Sequence, residues 1–310
     1  MADKETKNEP AATNKIGRFR ILAGLLLLAI LVALVEPTGY VRGILRGETF
    51  FASCPASYWA NGLQSADVTR ESKAVMKLSG GGAEAVDVLV ELLGHQDAMV
   101  RWKAAEILGK IGPTARSATA RLLKTLQDED PHLQQVAASA LARIDGPAEQ
   151  VVPALIQLCK SAPSVEVTRA LSQYGSEAAK SLNVLIGVME NESLPTEVRW
   201  NAIRTIGKIR AAAAPAIGKL VARLKDKEAT IREHAAEALG DIGPLSEKAV
   251  DDLVAVLNDP ETRVRRDAVR SLGQIGGAAK TKLPAIKKLI KDKQEIVRKA
   301  AKDAIKALSK

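Results

Sequence analysis

The sequence predicts an all-α protein, an α-α superhelix of stacked two-helix repeats preceded by a single N-terminal transmembrane or signal-anchor helix. Three observations carry this. A short string of the type Val-Arg-x-x-Ala-x-x-x-Leu-Gly-x-Ile recurs at a period of 33 residues. Aromatic residues make up only 3% of the 310 while Ala, Leu, Ile, Lys and Glu dominate, a mixture that favours helices whose small side chains let neighbours approach closely. One uninterrupted apolar run stands near the N-terminus behind basic residues.

With 46% apolar and 26% charged residues the chain can bury a sizeable core. Two cysteines, Cys54 and Cys159, cannot build a disulfide framework and lack the paired spacing of a zinc site. The formal charge of +9 is concentrated at one end: from Lys280 to Lys310 eleven Lys or Arg stand against Asp292, Glu295 and Asp303. That stretch reads as a polar cap that keeps a repeat stack soluble, with a docking face for an anionic partner as the alternative.

Residues 1–20 form a basic N-terminus with Lys15, Arg18 and Arg20 next to the apolar run Ile21 to Val35. Fifteen helical residues cover roughly 22 Å, less than the roughly 30 Å hydrocarbon core, but counting on to Val41 reaches spanning length. Small residues suited to signal cleavage are poorly placed after the run, so 21–41 is expected to be retained as the anchor. The excess of basic residues before it places the N-terminus in the cytoplasm and exports the remainder to the periplasm or cell envelope. Residues 42–59 are expected as a juxtamembrane linker and 60–310 as the solenoid.

Within 60–310, Val100-Arg101, Leu133-Gln134, Val198-Arg199, Ile231-Arg232, Val264-Arg265 and Val297-Arg298 mark successive units. The 65-residue gap conceals one degenerate unit, in which Ala170 and Gly175 align with Ala202 and Gly207, and a half unit spans Val68 to Leu78. Val264, Ala268, Leu272 and Ile275 fall on one face of a helix, and Leu253, Val256 and Leu257 form the stripe of the helix before it. Asp128, Asp226, Asp259 and Asp292 recur just before the second helix of each unit, where a carboxylate can cap free N–H groups. Pro113 and Pro244 recur just after it. Gly109, Gly207, Gly240 and Gly273 share one position inside it, which permits close helix approach.

These strings resemble the HEAT repeats, and among them the short bacterial HEAT-like repeats of the phycobilisome-lyase type, over roughly residues 60–310. The resemblance implies an armadillo-like solenoid whose default activity is protein binding. The family also includes a metal-dependent hydroxylase whose di-iron centre needs several His-Glu pairs; here Glu233-His234 is the nearest match, reversed and present once, with His95 and His132 in expected turns. No catalytic triad, phosphate loop, metal site or cofactor site is expected, and Cys159, aligned with Leu93, Leu126, Leu224 and Leu257, is expected to fill core.

Two sets of residues are candidates for partner binding. Arg101, Arg199, Arg232, Arg265 and Arg298 would line up as a ladder, either pairing with acidic residues or carbonyls of neighbouring turns or gripping a partner's carboxylates or phosphates. Trp102 and Trp200 share a position that elsewhere holds Gln135, Glu233, Arg266 and Lys299, so each is either an exposed hot spot or laid across the adjacent repeat. The expected function is a membrane-anchored scaffold or adaptor with a protein partner. A polyanion-binding solenoid would need basic and aromatic residues spread along the groove, and a small-molecule enzyme would need converging catalytic groups; the sequence offers neither.

Overall fold

The computed structural model describes residues 19–20, 22–28, 30–31 and 36–309. The expected cytoplasmic segment lies outside these residues up to position 18, and so do 21, 29 and 32–35 of the expected anchor. Its described residues between 22 and 31 are helical, with Leu22 and Leu26 each 65% exposed. Among the described residues no helix is long and apolar enough to cross a membrane. The chain divides into two compact units, 1–101 and 102–310.

The first unit contains what the sequence led us to expect as a linker, and it is folded. Helix α1 (Tyr40–Arg46) leads to a hairpin of β1 (Phe50–Phe51) and β2 (Cys54–Pro55), then α2 (Ala56–Leu63), α3 (Val68–Gly80) and α4 (Val86–Leu92). The Trp59 indole, 5% exposed, donates to the carbonyls of Phe51 and Cys54 at 3.2 Å each and so fastens hairpin to helix. Glu91 accepts from both the backbone N–H and the hydroxyl of Thr49, and Glu48 accepts from the Ser57 N–H. The hairpin turn places Ala52 (φ 49°) and Ser53 (φ 60°) in the left-handed region without a glycine, a strained choice for a two-residue loop. The half unit foreseen at 68–78 is α3, capped by Asp67 on the Thr69 N–H.

Repeat units follow. The second helices are α5 (Ala98–Ile111), which runs across the boundary, α7 (Pro131–Arg143), α9 (Val165–Gln173), α11 (Thr196–Lys208), α13 (Ala229–Ile242), α15 (Thr262–Ile275) and α17 (Glu295–Leu308). The first helices are α6 (Thr119–Thr125), α8 (Ala148–Ser161), α10 (Leu182–Glu190), α12 (Ile217–Arg223), α14 (Val250–Ala255) and α16 (Leu283–Lys288). In the second unit the second helices from α7 to α17 stack side by side in sequence order, and each first helix packs against its own second helix, giving two layers with the core between them. The predicted stripe is that core: Val264, Ala268 and Leu272 are fully buried, as is Leu253, while Val256 is only half-buried.

The connection after every second helix from α5 to α15 except α7 is a 3₁₀ turn such as Gly112–Ala118 or Gly243–Ala249; after α7 a plain turn leads into α8. Each connection opens on a residue with positive φ, supplied by Gly112, Gly175, Gly243 and Gly276, but by Asp145 and Arg210 in two units. This corrects the alignment of the degenerate unit. Gly175 does not hold the in-helix place of Gly207; it stops the helix at φ 50°, and α9 has 9 residues against 13 in α11, about one turn fewer. Inside the second helices the expected packing glycines do allow close approach: a Cβ on Gly207 would lie 2.9 Å from the Ala238 Cα, and one on Gly273 would lie 3.0 Å from the Ala304 Cα.

Candidate functional site

The recurring arginines and aspartates form one device. Arg232 Nη1 donates to the carbonyls of Asp226 and Lys227 in its own turn, while its Nε and Nη2 clamp the Asp259 carboxylate of the next repeat at 2.8 and 3.0 Å. Arg265 repeats this on the carbonyls of Asp259 and Pro260 and on Asp292 at 2.9 and 3.1 Å. Arg199 reaches Asp226 at 3.0 Å and donates to the Met189 carbonyl. Arg101 and Arg298 make the same bonds to the carbonyls of His95 and Gln96, and of Asp292 and Lys293. Each ladder aspartate also accepts a backbone N–H two residues on, from Asp130, Glu228, Glu261 or Gln294. The aspartates therefore order the turn ahead of the second helix and do not serve as its N-cap; Asp130 caps α7 instead.

Electrostatics follow the geometry. Arg265 holds the Asp292 carboxyl below the usual aspartate range through hydrogen bonding, against the opposing pull of burial. At Asp259 burial pulls upward most strongly, but the Arg232 hydrogen bond, the Glu261 N–H and the charges of Arg232 and Arg265 together bring it below its ordinary value. Arg199 and Arg265 are 3% and 6% exposed, so their guanidinium groups are spent on stacking one repeat on the next. Of the candidate arginines, Arg199, Arg232 and Arg265 are thus engaged as inter-repeat clamps, while Arg101 and Arg298 bond the carbonyls of their own turns.

The tryptophans lie on the outer surface of the second helices and are half-buried. The Trp200 indole stacks on the His234 imidazole of the next repeat, centroids 4.7 Å apart and planes inclined by 20°, and Trp102 meets His132 edge to face at 5.5 Å. His234 is thereby half-covered rather than a free surface residue, and its Nδ1 lies 2.9 Å from Glu237 Oε2. His132 sits in the first turn of α7, not in a loop. Sequence reasoning missed both histidine lids, since Trp and His are 34 and 30 residues apart and only the stacking register brings them together. Cys159 is 1% exposed and burial pushes its thiol up to about 11, as fits a core filler.

Of the basic C-terminal stretch, Lys280 to Lys293 lie on α16 and the turns that flank it, and the remainder as far as Lys306 is carried by two surfaces of α17. On the flank where earlier second helices bury Ile203, Ala236 or Val269 and place Gly207, Gly240 or Gly273 against the next helix, α17 carries exposed Lys302 and Lys306. That flank has the polar character of a repeat cap. The other surface, turned toward α15, borders a groove of about 460 Å³ lined by Arg270, Ile296, Lys299, Ala300 and Asp303 among others. A larger concavity of about 1100 Å³ lies in the first unit, among Tyr58, Trp59, Met76 and the α3 cations Arg70, Lys73 and Lys77.

The family model for HEAT repeats matches residues 86–173, 164–240 and 217–308. No curated protein matches the sequence. Among solved structures, the crystal structure of importin beta in an ammonium sulfate condition superposes with a TM-score of 0.56 at 13% identity over 82% of this chain. The chain spans 40% of that importin beta chain, and at this identity the likeness is one of fold. With three overlapping matches that run from 86 to 308, the chain belongs to the HEAT-repeat family.

Proposed function

We propose that this protein is a membrane-anchored, non-enzymatic scaffold of the short bacterial HEAT-like type, which binds a protein partner at the cell envelope through the surface of its second helices. The observation that carries the reading is the occupation of the ladder: its guanidinium groups are closed onto carbonyls and, at Arg199, Arg232 and Arg265, onto the next repeat's aspartate. This fixes the stack as a rigid platform and leaves recognition to the outer surface of the second helices, where Trp102 and Trp200 supply amphipathic contact area. Anchoring by 21–41, with a cytoplasmic N-terminus and exported repeats, rests on the basic flank and apolar run of the sequence. HEAT solenoids typically bind proteins, in keeping with this assignment.

The test is in-cell crosslinking and affinity capture with the wild type and a Trp102→Ala/Trp200→Ala variant, with protease accessibility on the same cells. The expected outcome is one dominant protein partner, lost from the double variant at unchanged helicity, and repeats that are cut from outside the cytoplasmic membrane. Equal loss of fold and capture would assign the indoles to packing alone. Repeats protected from external protease but released on lysis would overturn the topology.

A further inference from the structure

We infer that the groove between α15 and α17 is where the partner docks, and that it takes an acidic amphipathic segment, carboxylates against Arg270 and Lys299 and an apolar side chain on the alanine floor. The inference rests on the second-helix surface being the binding surface. It comes from the way charge is settled along that surface. Through most of the second unit opposite charges on neighbouring second helices close onto each other: Arg169 on Glu197 at 3.4 Å, Lys208 on Asp241 at 2.9 Å, Arg266 on Glu233 at 3.2 Å. Arg266 is further held by Asp267. One step on, the settlement stops. Arg270 and Lys299 are exposed on the two lips of the groove and make no ion pair among the described residues.

The groove has a built apolar floor between those lips. Gly273 lets α15 approach α17 at Ala304, and Ala300, Ala304 and Ala307 succeed one another along α17 as small side chains that leave space above them. Ile296 closes one end and is 49% exposed, a large apolar residue with nothing over it. A groove of about 460 Å³ with this lining accommodates a bulky apolar side chain flanked by backbone. Lys302 and Lys306 on the adjoining flank add positive potential that steers an acidic segment inward. Asp303 is the one carboxylate on the lining, and no aromatic side chain lies there for base stacking, so a uniformly polyanionic strand of nucleic acid is a poorer fit than a peptide that mixes carboxylates with apolar residues.

The experiment is selection from a displayed random-peptide library on the purified full chain, followed by anisotropy titration of the best enriched peptide. The titration is repeated with Arg270→Glu/Lys299→Glu, with Ala307→Leu, which fills the floor and leaves the charge unchanged, and with Lys180→Glu outside the groove. We expect enriched peptides with Asp or Glu flanking a large apolar residue, a Kd raised at least about tenfold by the charge reversal and by Ala307→Leu, and no change with Lys180→Glu. Absence of enrichment, enrichment without acidic bias, or equal affinity for the groove variants and the wild type would overturn the inference. So would displacement of the peptide by duplex DNA that itself binds tightly and loses affinity in the charge-reversed variant. Because the selection uses purified protein, it succeeds or fails independently of whether a partner is captured in cells.

Discussion

Asp292→Ala removes the carboxylate that Arg265 clamps with two bonds of 2.9 and 3.1 Å, in a pair whose side chains are 7% and 8% exposed. Removing one partner of a buried pair costs about 3–5 kcal/mol, since the remaining charge keeps its desolvation penalty. Arg265 retains its bonds to the carbonyls of Asp259 and Pro260, which puts the expected cost near the lower end, about 3 kcal/mol. In a repeat stack such a loss is felt at one interface, so α16 and α17 should open locally while the remainder stays closed. Hydrogen exchange resolved by peptide reads this directly: the opening equilibrium of residues 295–308 should rise about 100-fold, with 196–208 unchanged. Asp251→Ala is the control, because Asp251 pairs with Lys282 while 81% exposed and its loss should change exchange less than about threefold. Replacing both partners at once, Arg265→Met with Asp292→Leu, should cost less than Asp292→Ala alone. An Asp292→Ala effect as small as that of the Asp251 control would refute the assignment of the ladder as the inter-repeat clamp.

Other expectations follow from the same contacts. Gly207→Ala gains helix propensity yet drives a Cβ to 2.9 Å from the Ala238 Cα, so it should lower stability by about 1–3 kcal/mol in urea denaturation. Gly187→Ala, in α10 with nothing within 4 Å of the added Cβ, should raise it by about 0.5–1 kcal/mol. Arg210→Gly relieves a non-glycine φ of 63° at an exposed site and should be neutral or stabilising by up to about 1 kcal/mol, whereas Gly243→Arg at φ 81° should destabilise. The Cys159 thiol, buried and raised to about 11, should resist Ellman's reagent until the protein unfolds, and half-buried Cys54 should react first. Asp259 and Asp292 titrate lower in the folded chain than at their ordinary value of 3.8, so the unfolded chain binds more protons below that pH. Their contribution is present above it and is lost as pH falls through the lowered values; Asp292→Asn should flatten this part of the stability profile.

The period of 33 residues and the apolar stripes made the repeats legible, because a helix that must bury one face repeats its apolar residues at helical spacing. The ladder was half legible. Arginine and aspartate recurred in register, but that the carboxylate belongs to the following repeat required the stack itself. The degenerate unit was misaligned because the sequence shows a glycine at 175 without showing whether it packs or stops a helix; its φ of 50° decides for the stop. The hairpin of 50–55 escaped notice since its strands are two residues long and its turn, Ala52-Ser53, lacks the glycine or asparagine that usually announces one. The indole lids and the groove at α15–α17 depend on contacts between helices about 33 residues apart, which no local pattern records.

The central claim is that the second-helix surface, and not the first-helix layer, meets the partner. Photo-crosslinking amino acids placed singly at Gln173, Arg204 and Arg270 on the second helices, and at Asn183, Lys219 and Asp251 on the first helices, would test it in intact cells; all six positions are exposed. The account predicts adducts to one protein from the first set, strongest at position 270, and none from the second. Adducts confined to the second set, or of equal yield from both, would contradict it.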